Sequence, residues 1–210
     1  MARPSGYGSA TSIRHPIHSP QQGQSTVLPY MSNPGTFGTF TLTDQQLLVY
    51  PLVLDIGGVY PVSYTVHTNA GAGAGAQLCG ALWGDVDNAP SILISICSPT
   101  AATAANSDIT VPFQYPYGAN TLAAGRYWIG IIQRGTPSPS ITLNAVPATS
   151  LHGTVLPATA GAGLANIYVG HYMNAASIDT GCQFNHGGVT FTPLAAGAAG
   201  TFLPMVAVNF

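Results

Sequence analysis

The sequence predicts an all-β fold, a sandwich or barrel in a single domain. Segments rich in Val, Ile, Leu, Thr and Tyr recur along the chain. The 25 glycines and 17 prolines interrupt these segments at short intervals, as turns between strands do. No segment has the period of an amphipathic helix. A chain of 210 residues with 46% hydrophobic content can bury one sizeable core.

The stretch 121–133, TLAAGRYWIGIIQ, predicts the central strand of the sheet. A turn ends at Gly125, and a strand follows to about Gln133. Successive side chains of a strand point to opposite faces. This strand therefore has two apolar rows, one on each face: Tyr127, Ile129 and Ile131 against Trp128, Gly130 and Ile132. Two apolar faces are typical of a strand that is buried on both sides.

Residues 1–35 are expected to form an extended arm. They contain five prolines among Ser, Gln and Gly and show no strand or helix period. Two alternatives are open: a disordered tail, or an arm that lies on a neighbouring subunit. Residues 36–210 are expected to form one β-sandwich domain.

Ten further strands are predicted in order along this domain. They cover residues 38–42, 47–54, 59–67, 77–83, 91–97, 108–113, 141–146, 166–171, 188–192 and 202–209. Pro51 cannot donate a ladder hydrogen bond, so it indicates an edge or a bulge. The Ala-Gly tract at 70–76 is expected to be a hairpin loop.

Two of these strands have informative faces. Residues 59–67 alternate well, which predicts a buried face and a wet face that carries Ser63, Thr65 and His67. The segment 91–97, SILISIC, is expected to place its three isoleucines on one face: Ile92, Ile94 and Ile96.

The charge content excludes some classes of partner. Only 5% of residues are charged, and neither Lys nor Glu occurs, against roughly 25% charged residues in a typical soluble domain. Four dispersed arginines cannot neutralise a phosphate backbone, so no nucleic-acid partner is predicted. No apolar run predicts a secretory signal or a membrane span. A nearly neutral surface hardly repels copies of itself, so we expect a homo-oligomer.

Metal and cofactor patterns are weak, and no cofactor or metal is predicted. The sequence around Asp85 and Asp87 has oxygen ligands at alternate positions, but the rest of a calcium loop is missing and a tight turn explains it equally well. His15 and His18 lie close together on the arm. Cys182 and His186 have zinc-type spacing without further ligands. The three cysteines, Cys79, Cys97 and Cys182, are expected to be buried reduced thiols.

Signals of catalysis are absent from the sequence, so we expect a protein that is not an enzyme. There is no G-x-S-x-G motif, and S-x-x-K is impossible without Lys. Paired-carboxylate chemistry lacks any Glu. No glycine-rich run has phosphate-loop or dinucleotide spacing. His67 alone on a polar face predicts a solvated side chain.

An aromatic platform for sugar is the strongest binding hypothesis. It would use Tyr115 and Tyr117, which flank a proline in a loop, together with Trp83 and Trp128. The strand contexts of both tryptophans favour a place in the core instead. Tyr115 and Tyr117 are therefore the candidate sugar or partner contacts.

Two motifs resemble the β-sandwich modules of tailed-bacteriophage structural proteins: fibres, collars, minor tail proteins and capsid decoration proteins. The hairpin Gly80-Ala-Leu-Trp83 with Asn88-Ala-Pro90 is similar to their "G-L-Y, polar turn, Pro-Gly" pattern. Their "L-x-x-G-x-Y-W" strand is matched by Leu122, Gly125, Tyr127 and Trp128. Trp83 replaces the usual Tyr, and no Gly follows Pro90. The similarity covers about residues 38–145.

The resemblance implies a jelly-roll-like antiparallel sandwich in a virion component, commonly a trimer. Trp83, Leu122, Gly125, Tyr127, Trp128, Ile129 and Ile131 would then be core and fold-signature residues. The expected function is a non-enzymatic structural protein, a capsid decoration or cement protein or a small head or tail component. Its partners would be other virion proteins, and it would assemble in the host cytoplasm. On the arm, the expected contacts are Arg14, His15 and His18. The alternative is a carbohydrate-binding adhesin.

Overall fold

The structure, a computed structural model, describes residues 22–28, 37–43, 46–87, 89–115, 121–135, 140–147, 168–173, 177–178, 184–185, 192–195 and 202–210. Between residues 168 and 195 it describes the strands by their backbone alone. This part of the chain is all-β and contains no helix. Its strands are β1 (Ser25–Leu28), β2 (Gly38–Thr41), β3 (Leu47–Leu54), β4 (Ser63–Ala70), β5 (Gln77–Val86), β6 (Ala89–Cys97), β7 (Thr100–Ala101), β8 (Ser107–Gln114), β9 (Gly125–Arg134), β10 (Thr142–Pro147), β11 (Tyr168–Met173), β12 (Ser177–Ile178), β13 (Phe184–Asn185), β14 (Thr192–Ala195), β15 (Phe202–Pro204) and β16 (Val206–Asn209).

The predicted strand segments each overlap an observed strand, and the all-β prediction is confirmed. Four short strands were not predicted: β1, β7, β12 and β13. Of these, β1 falls within the residues 1–35 that the sequence assigns to the arm, and it pairs with β16. The backbone of β1 therefore belongs to the sheet.

Two layers of antiparallel strands face each other across the core. The front sheet has the order β6-β5-β9-β3-β11-β14, with β7 beside β5. The back sheet has the order β1-β16-β4-β8, and β10 joins it at β4 together with β2 and β15. Gln114 and Phe113 of β8 also pair with Ile96 and Cys97 of β6. The strands thus form one sheet that folds over and nearly closes into a sandwich or barrel.

The predicted central strand is β9, which lies between β5 and β3. Ile129 and Ile131 face the interior between the two sheets, and Trp128 and Ile132 face the opposite side. All four side chains are fully buried. The prediction of a strand buried on both faces is confirmed, since β9 has neighbours on both edges and apolar cover on both faces.

The inner core lies between the sheets. Tyr64 of β4 crosses it and donates its hydroxyl hydrogen to the carbonyl oxygen of Cys79 in β5, at 2.7 Å. Gly80 makes room for this contact, because a Cβ there would lie 2.9 Å from the Tyr64 ring and 2.3 Å from the carbonyl oxygen of Gly130. The main aliphatic members are Leu28, Leu42, Leu48, Leu52, Leu54, Val66, Leu78, Leu82, Val111, Ile129, Ile131, Ile141, Leu143, Val206 and Val208.

A second apolar cluster lies on the other face of the front sheet, and we call it the outer cluster. Its members are all fully buried: Leu47, Val49, Cys79, Ala81, Trp83, Trp128 and Ile132. It explains why β3, β5 and β9 read as continuous apolar runs in the sequence: each of these strands contributes side chains to two buried clusters.

The predictions for Pro51 and for the Ala-Gly tract have different outcomes. Pro51 pairs with Trp128 of β9, and β11 pairs with β3 only at residues 47–49. Among the described residues, Pro51 therefore lies beyond the end of the β11 ladder, a position typical of a proline in a sheet. Residues 71–76 form a loop, but the hairpin prediction is wrong, because β4 and β5 belong to opposite sheets.

The row of isoleucines in β6 is split by β-bulges. The register between β5 and β6 shifts twice near Trp83. Ile96 packs with the outer cluster, whereas Ile94 packs against the inner core. The prediction that Ile92, Ile94 and Ile96 share one face is wrong, since each extra residue in a bulge turns the next side chains to the other face.

Of the two described cysteines, one is reduced as predicted and the other is not. Cys97 is free and buried, and burial raises the pKa of its thiol. Cys79 is disulfide-bonded. The prediction of reduced thiols is wrong for Cys79, because disulfide formation depends on proximity in the fold, and wide spacing in the sequence does not reveal that proximity.

Candidate functional site

The two tryptophans of the predicted sugar platform lie in the outer cluster. Trp83 of β5 and Trp128 of β9 are directly opposite each other in the ladder, and both are fully buried. The indole Nε1 of Trp128 donates to Oδ1 of Asp85 at 2.6 Å. A buried indole needs such an acceptor. Both rings are therefore core residues, as their strand contexts predicted.

The acidic segment at the end of β5 takes part in this contact through Asp85, which lies within the strand. One carboxylate oxygen of Asp85 accepts the indole hydrogen, and Asp87 is exposed with a left-handed φ of 54°. A left-handed conformation is typical of Asp and Asn in tight turns. Asn88 lies outside the described residues. Within the described ranges, His, Cys, Asp and Glu form no group of three or more that could hold a metal ion.

The other residues of the β9 motif, Leu122, Gly125 and Tyr127, lie in the turn before β9 and at its start. The backbone N–H of Leu122 donates to the carbonyl oxygen of Val59 at 2.8 Å, and Gly58 donates to Leu122 at 2.9 Å. Tyr127 donates its hydroxyl hydrogen to the carbonyl oxygen of Ala123 at 2.9 Å. These bonds hold the turn before β9 against the loop after β3. Gly125 opens β9, and a Cβ there would meet nothing closer than 3.9 Å.

Tyr115 lies half-buried at the end of β8. Its hydroxyl donates to the carbonyl oxygen of Pro61, and burial raises the pKa of that hydroxyl. Its ring contacts Tyr60 edge to face, with centroids 5.6 Å apart and planes at 83°, and it lies 6.4 Å from Phe113. Tyr60 was not singled out from the sequence, since only the fold brings residues 60 and 115 together. Tyr117 lies outside the described residues.

The outward face of the back sheet carries a network that we call the polar ladder: Ser25, Asn209, Ser63, Thr65 and Thr110. Ser25 donates to Oδ1 of Asn209 at 2.7 Å. Asn209 donates through Nδ2 to Ser63 and Thr65, at 2.8 and 3.0 Å. The Oγ1 atoms of Thr65 and Thr110 lie 2.9 Å apart. Hydrogen bonds thus join side chains of β1, β16, β4 and β8 in succession.

A histidine-carboxylate pair continues the polar ladder. His67 of β4 and Asp108 of β8 are ladder partners, and Nδ1 and Oδ1 are 2.7 Å apart. Their side chains are 38% and 72% exposed. Of the face predicted to be wet, Thr65 and His67 are partly exposed, whereas Ser63 is buried at 8% exposure. His67 is paired with Asp108, which the sequence did not indicate. The pair lies on an open sheet face and resembles other cross-strand pairs that stabilise sheets.

The predicted arm contacts, Arg14, His15 and His18, lie outside the described residues, as do Cys182 and His186. No described helix has the length and hydropathy that a membrane crossing requires. Comparison of the chain with models of protein families and with curated proteins finds no match.

Proposed function

We propose that this chain is a non-enzymatic structural protein of a bacteriophage particle, a capsid decoration or cement protein or a small head or tail component. The observation that carries the proposal is the polar ladder: a partly exposed sheet face whose neutral side chains hydrogen-bond to each other. Such a face suits packing against other virion subunits. The assignment also rests on the resemblance of the hairpin at 80–90 and of β9 to phage sandwich modules.

The polar ladder favours association for an entropic reason. A free side chain that becomes fixed at an interface costs about 0.5–1.5 kcal/mol. Asn209 already makes three hydrogen bonds, and Thr65 makes two of the bonds in the network. Their rotamers are thus restricted before any partner binds. A preorganised surface loses less entropy on docking and binds more tightly for the same area.

The low number of charged residues also favours association. The full chain has four arginines, six aspartates and a formal net charge of −2. Long-range repulsion between neighbouring copies is weak at this charge. Few charged groups then need to lose their water at an interface, which lowers the desolvation cost of packing.

The disulfide of Cys79 fits a protein that works outside the reducing cytoplasm. Disulfides persist on virion surfaces and in other oxidising surroundings and are rare in the cytosol. On this proposal the chain assembles in the host cytoplasm and functions in the released particle. The sandwich is of the jelly-roll type, and the arm within residues 1–35 contacts neighbouring subunits through Arg14, His15 and His18.

Quantitative mass spectrometry of purified particles tests the proposal. The expected result is a copy number in proportion to the major capsid protein for a decoration or cement protein, or a handful of copies for a tail component. Absence of the chain from washed particles would overturn it.

A truncation then tests the arm. Residues 1–21 can be deleted without removing β1, which pairs with β16 through Ser25–Leu28. We expect the shortened protein to lose binding to particles that lack this chain while it keeps the unfolding temperature of the full chain. Unchanged binding would contradict the arm contact.

Carbohydrate binding is the second candidate, and the pair of Tyr60 and Tyr115 favours it. Aromatic faces are common sugar contacts, and these two rings are only half-buried. A glycan array with the wild type and Tyr115→Ala tests it. Tyr115→Phe is the control, because it keeps the ring and removes only the hydroxyl that Pro61 binds. Binding lost in the alanine variant and kept in the phenylalanine variant would support a sugar site; an array without hits would exclude one for the glycans tested.

A further inference from the structure

The cysteine content of the chain identifies the partner of Cys79 in its disulfide. The sequence contains three cysteines, Cys79, Cys97 and Cys182. Cys79 is disulfide-bonded, and Cys97 is free. Cys79 is also fully buried in its own chain, so a thiol of another copy cannot reach it. Cys182 is therefore the thiol that remains for Cys79.

The position of Cys97 agrees with its free state. Cys79 belongs to the outer cluster and Cys97 to the inner core, so the two lie on opposite faces of the front sheet. A Cβ at Gly80, the residue after Cys79, would lie 3.3 Å from Sγ of Cys97. Successive side chains of a strand point to opposite faces, so Cys79 points away from that sulfur. A disulfide needs Cβ atoms about 3.5–4.5 Å apart, and the sheet between the two residues prevents such an approach.

The register of the front sheet connects Cys79 with β11. Cys79 of β5 pairs with Ile132 of β9. The antiparallel register of β9 and β3 places Ile132 level with Leu47, and Leu47 pairs with Met173 of β11. Cys79 and Met173 therefore lie in one row across the sheet. Three strand spacings separate them, which is about 14 Å.

The chain after β11 is long enough to reach Cys79. Its next strands are β12 and β13, which pair with each other, and Cys182 falls between them in the sequence. From Met173 to Ile178, the last residue of β12, the chain advances by five residues. An extended segment of this length spans about 17 Å, which exceeds the width of the three strand spacings. Cys182 lies further along the chain, so the bond to Cys79 is within reach.

We propose that Cys79 and Cys182 form a disulfide that ties the connection between β12 and β13 to β5. In its formation the two thiols lose two protons and two electrons, and a low-molecular-weight disulfide such as oxidised glutathione takes them up and becomes two thiols. The bond closes a long loop, so it restricts the unfolded chain strongly. The pairing does not depend on the virion role proposed above.

Tryptic fragments of the denatured, unreduced protein test the pairing. The chain has no Lys, so trypsin cuts only after arginines. One fragment ends at Arg126 and carries Cys79 and Cys97. Another begins after Arg134 and carries Cys182. With free thiols alkylated first, we expect mass spectrometry to find the two fragments joined in one species that a reductant separates.

The alkyl label and two variants assign the bond within the first fragment. In the wild type the label is expected on Cys97, which fragmentation spectra read directly, so this result does not require a variant to fold. Cys79→Ala should release the two fragments from each other. Cys97→Ala is the matched control, because it makes the same change at a buried cysteine, and it should leave the fragments joined.

A thermodynamic cycle adds a readout in the folded protein. Cys79→Ala and Cys182→Ala remove the same bond, so the double variant should have nearly the same unfolding midpoint as Cys79→Ala alone. The effects of Cys79→Ala and Cys97→Ala should instead add. Circular dichroism during thermal unfolding under non-reducing conditions measures all four proteins beside the wild type.

Three results would overturn the pairing: fragments that separate without a reductant, an alkyl label on Cys79, or a disulfide between the Cys79 fragments of two copies. These results are separable from the copy number in particles. A chain that is abundant in particles and gives unlinked fragments would retain the virion role and lose the bond to Cys182.

Discussion

The back sheet presents Ser63, Thr65 and Asn209 on its outward face, whereas the front sheet has Trp83 and Trp128 on its face away from the inner core. On the first face Thr65 and Asn209 are partly exposed and Ser63 is buried, and hydrogen bonds join the three side chains. The second is fully buried. The front sheet is therefore an inner layer of the protein, and the back sheet is an outer layer with one partly exposed face. The contribution to stability should be concentrated on the front sheet and the capacity for contact on the back sheet.

The physical reason lies in the size of the two kinds of interaction. Full burial of a large apolar side chain contributes about 1.5–3 kcal/mol by transfer alone. A hydrogen bond that replaces a bond to water contributes about 0.5–1.5 kcal/mol. Substitutions in the outer cluster should accordingly cost more than substitutions in the polar ladder, and the following predictions test this difference in order of expected size.

Trp128→Ala is expected to have the largest effect. It empties the centre of the outer cluster and leaves the Asp85 carboxylate without the indole donor, so the free energy of unfolding should fall by about 3–5 kcal/mol. Asn209→Ala in the polar ladder should cost about 1 kcal/mol. Urea denaturation measures both, and Trp128→Phe serves if the alanine variant does not fold. Equal losses of unfolding free energy in Trp128→Ala and Asn209→Ala would contradict the expectation that the outer cluster contributes more to stability than the polar ladder.

Cys79→Ala removes the disulfide that ends in the outer cluster. Loss of a native disulfide typically costs about 2–5 kcal/mol. Cys97→Ala, which removes a free buried thiol from the inner core, should cost about 1 kcal/mol. Thermal unfolding with and without a reductant measures the difference: the reductant should lower the midpoint of the wild type and leave that of Cys79→Ala unchanged. A wild type insensitive to the reductant under unfolding conditions would count against a structural disulfide.

Gly130→Ala tests how closely the outer cluster is packed. A Cβ at Gly130 would lie 2.6 Å from the Trp83 ring and 2.9 Å from Leu47. Overpacking of this kind costs about 1–3 kcal/mol. Gly125→Ala on the same strand should change stability by no more than about 0.5 kcal/mol, because its nearest neighbour would be 3.9 Å away. A chemical denaturation series that ranks Gly125 as the more sensitive glycine would refute the packing argument.

His67→Ala should have the smallest effect, a loss of about 0.5 kcal/mol or less. The His67–Asp108 pair is exposed on the back sheet, and exposed pairs contribute little. A double-mutant cycle with Asp108→Ala measures the coupling free energy. A coupling above about 1 kcal/mol would show that the outward face of the back sheet contributes more to stability than its exposure indicates.

Much of the fold could be predicted from the sequence because local patterns report local geometry. The alternation of Ser63, Tyr64, Thr65 and Val66 requires a strand with one buried face, and the two apolar rows of β9 require burial on both sides. The tryptophans were rightly placed in the core. Gly125 was singled out for its motif, although Gly130 on the same strand is the more crowded of the two, with neighbours from β5 and β3.

The candidate site could be predicted only in part. Asn209 and Ser25 are separated by 184 positions and meet because β1 pairs with β16. Tyr60 meets Tyr115 because β8 ends beside the segment that leads into β4. The exposure of Ile92 depends on the bulges near Trp83. None of these relations leaves a signal at short range in the chain.

The amino-acid pattern is sufficient to predict the strand class, most strand positions, the buried centre at 126–132 and a surface with few charged residues. Hydrophobic period and composition are local quantities, and they suffice for these features. Tertiary contacts set which strands are neighbours, which thiol is bonded and which glycines are crowded. Those features depend on the pairing of distant segments, and strand register is set by the sheet as a whole.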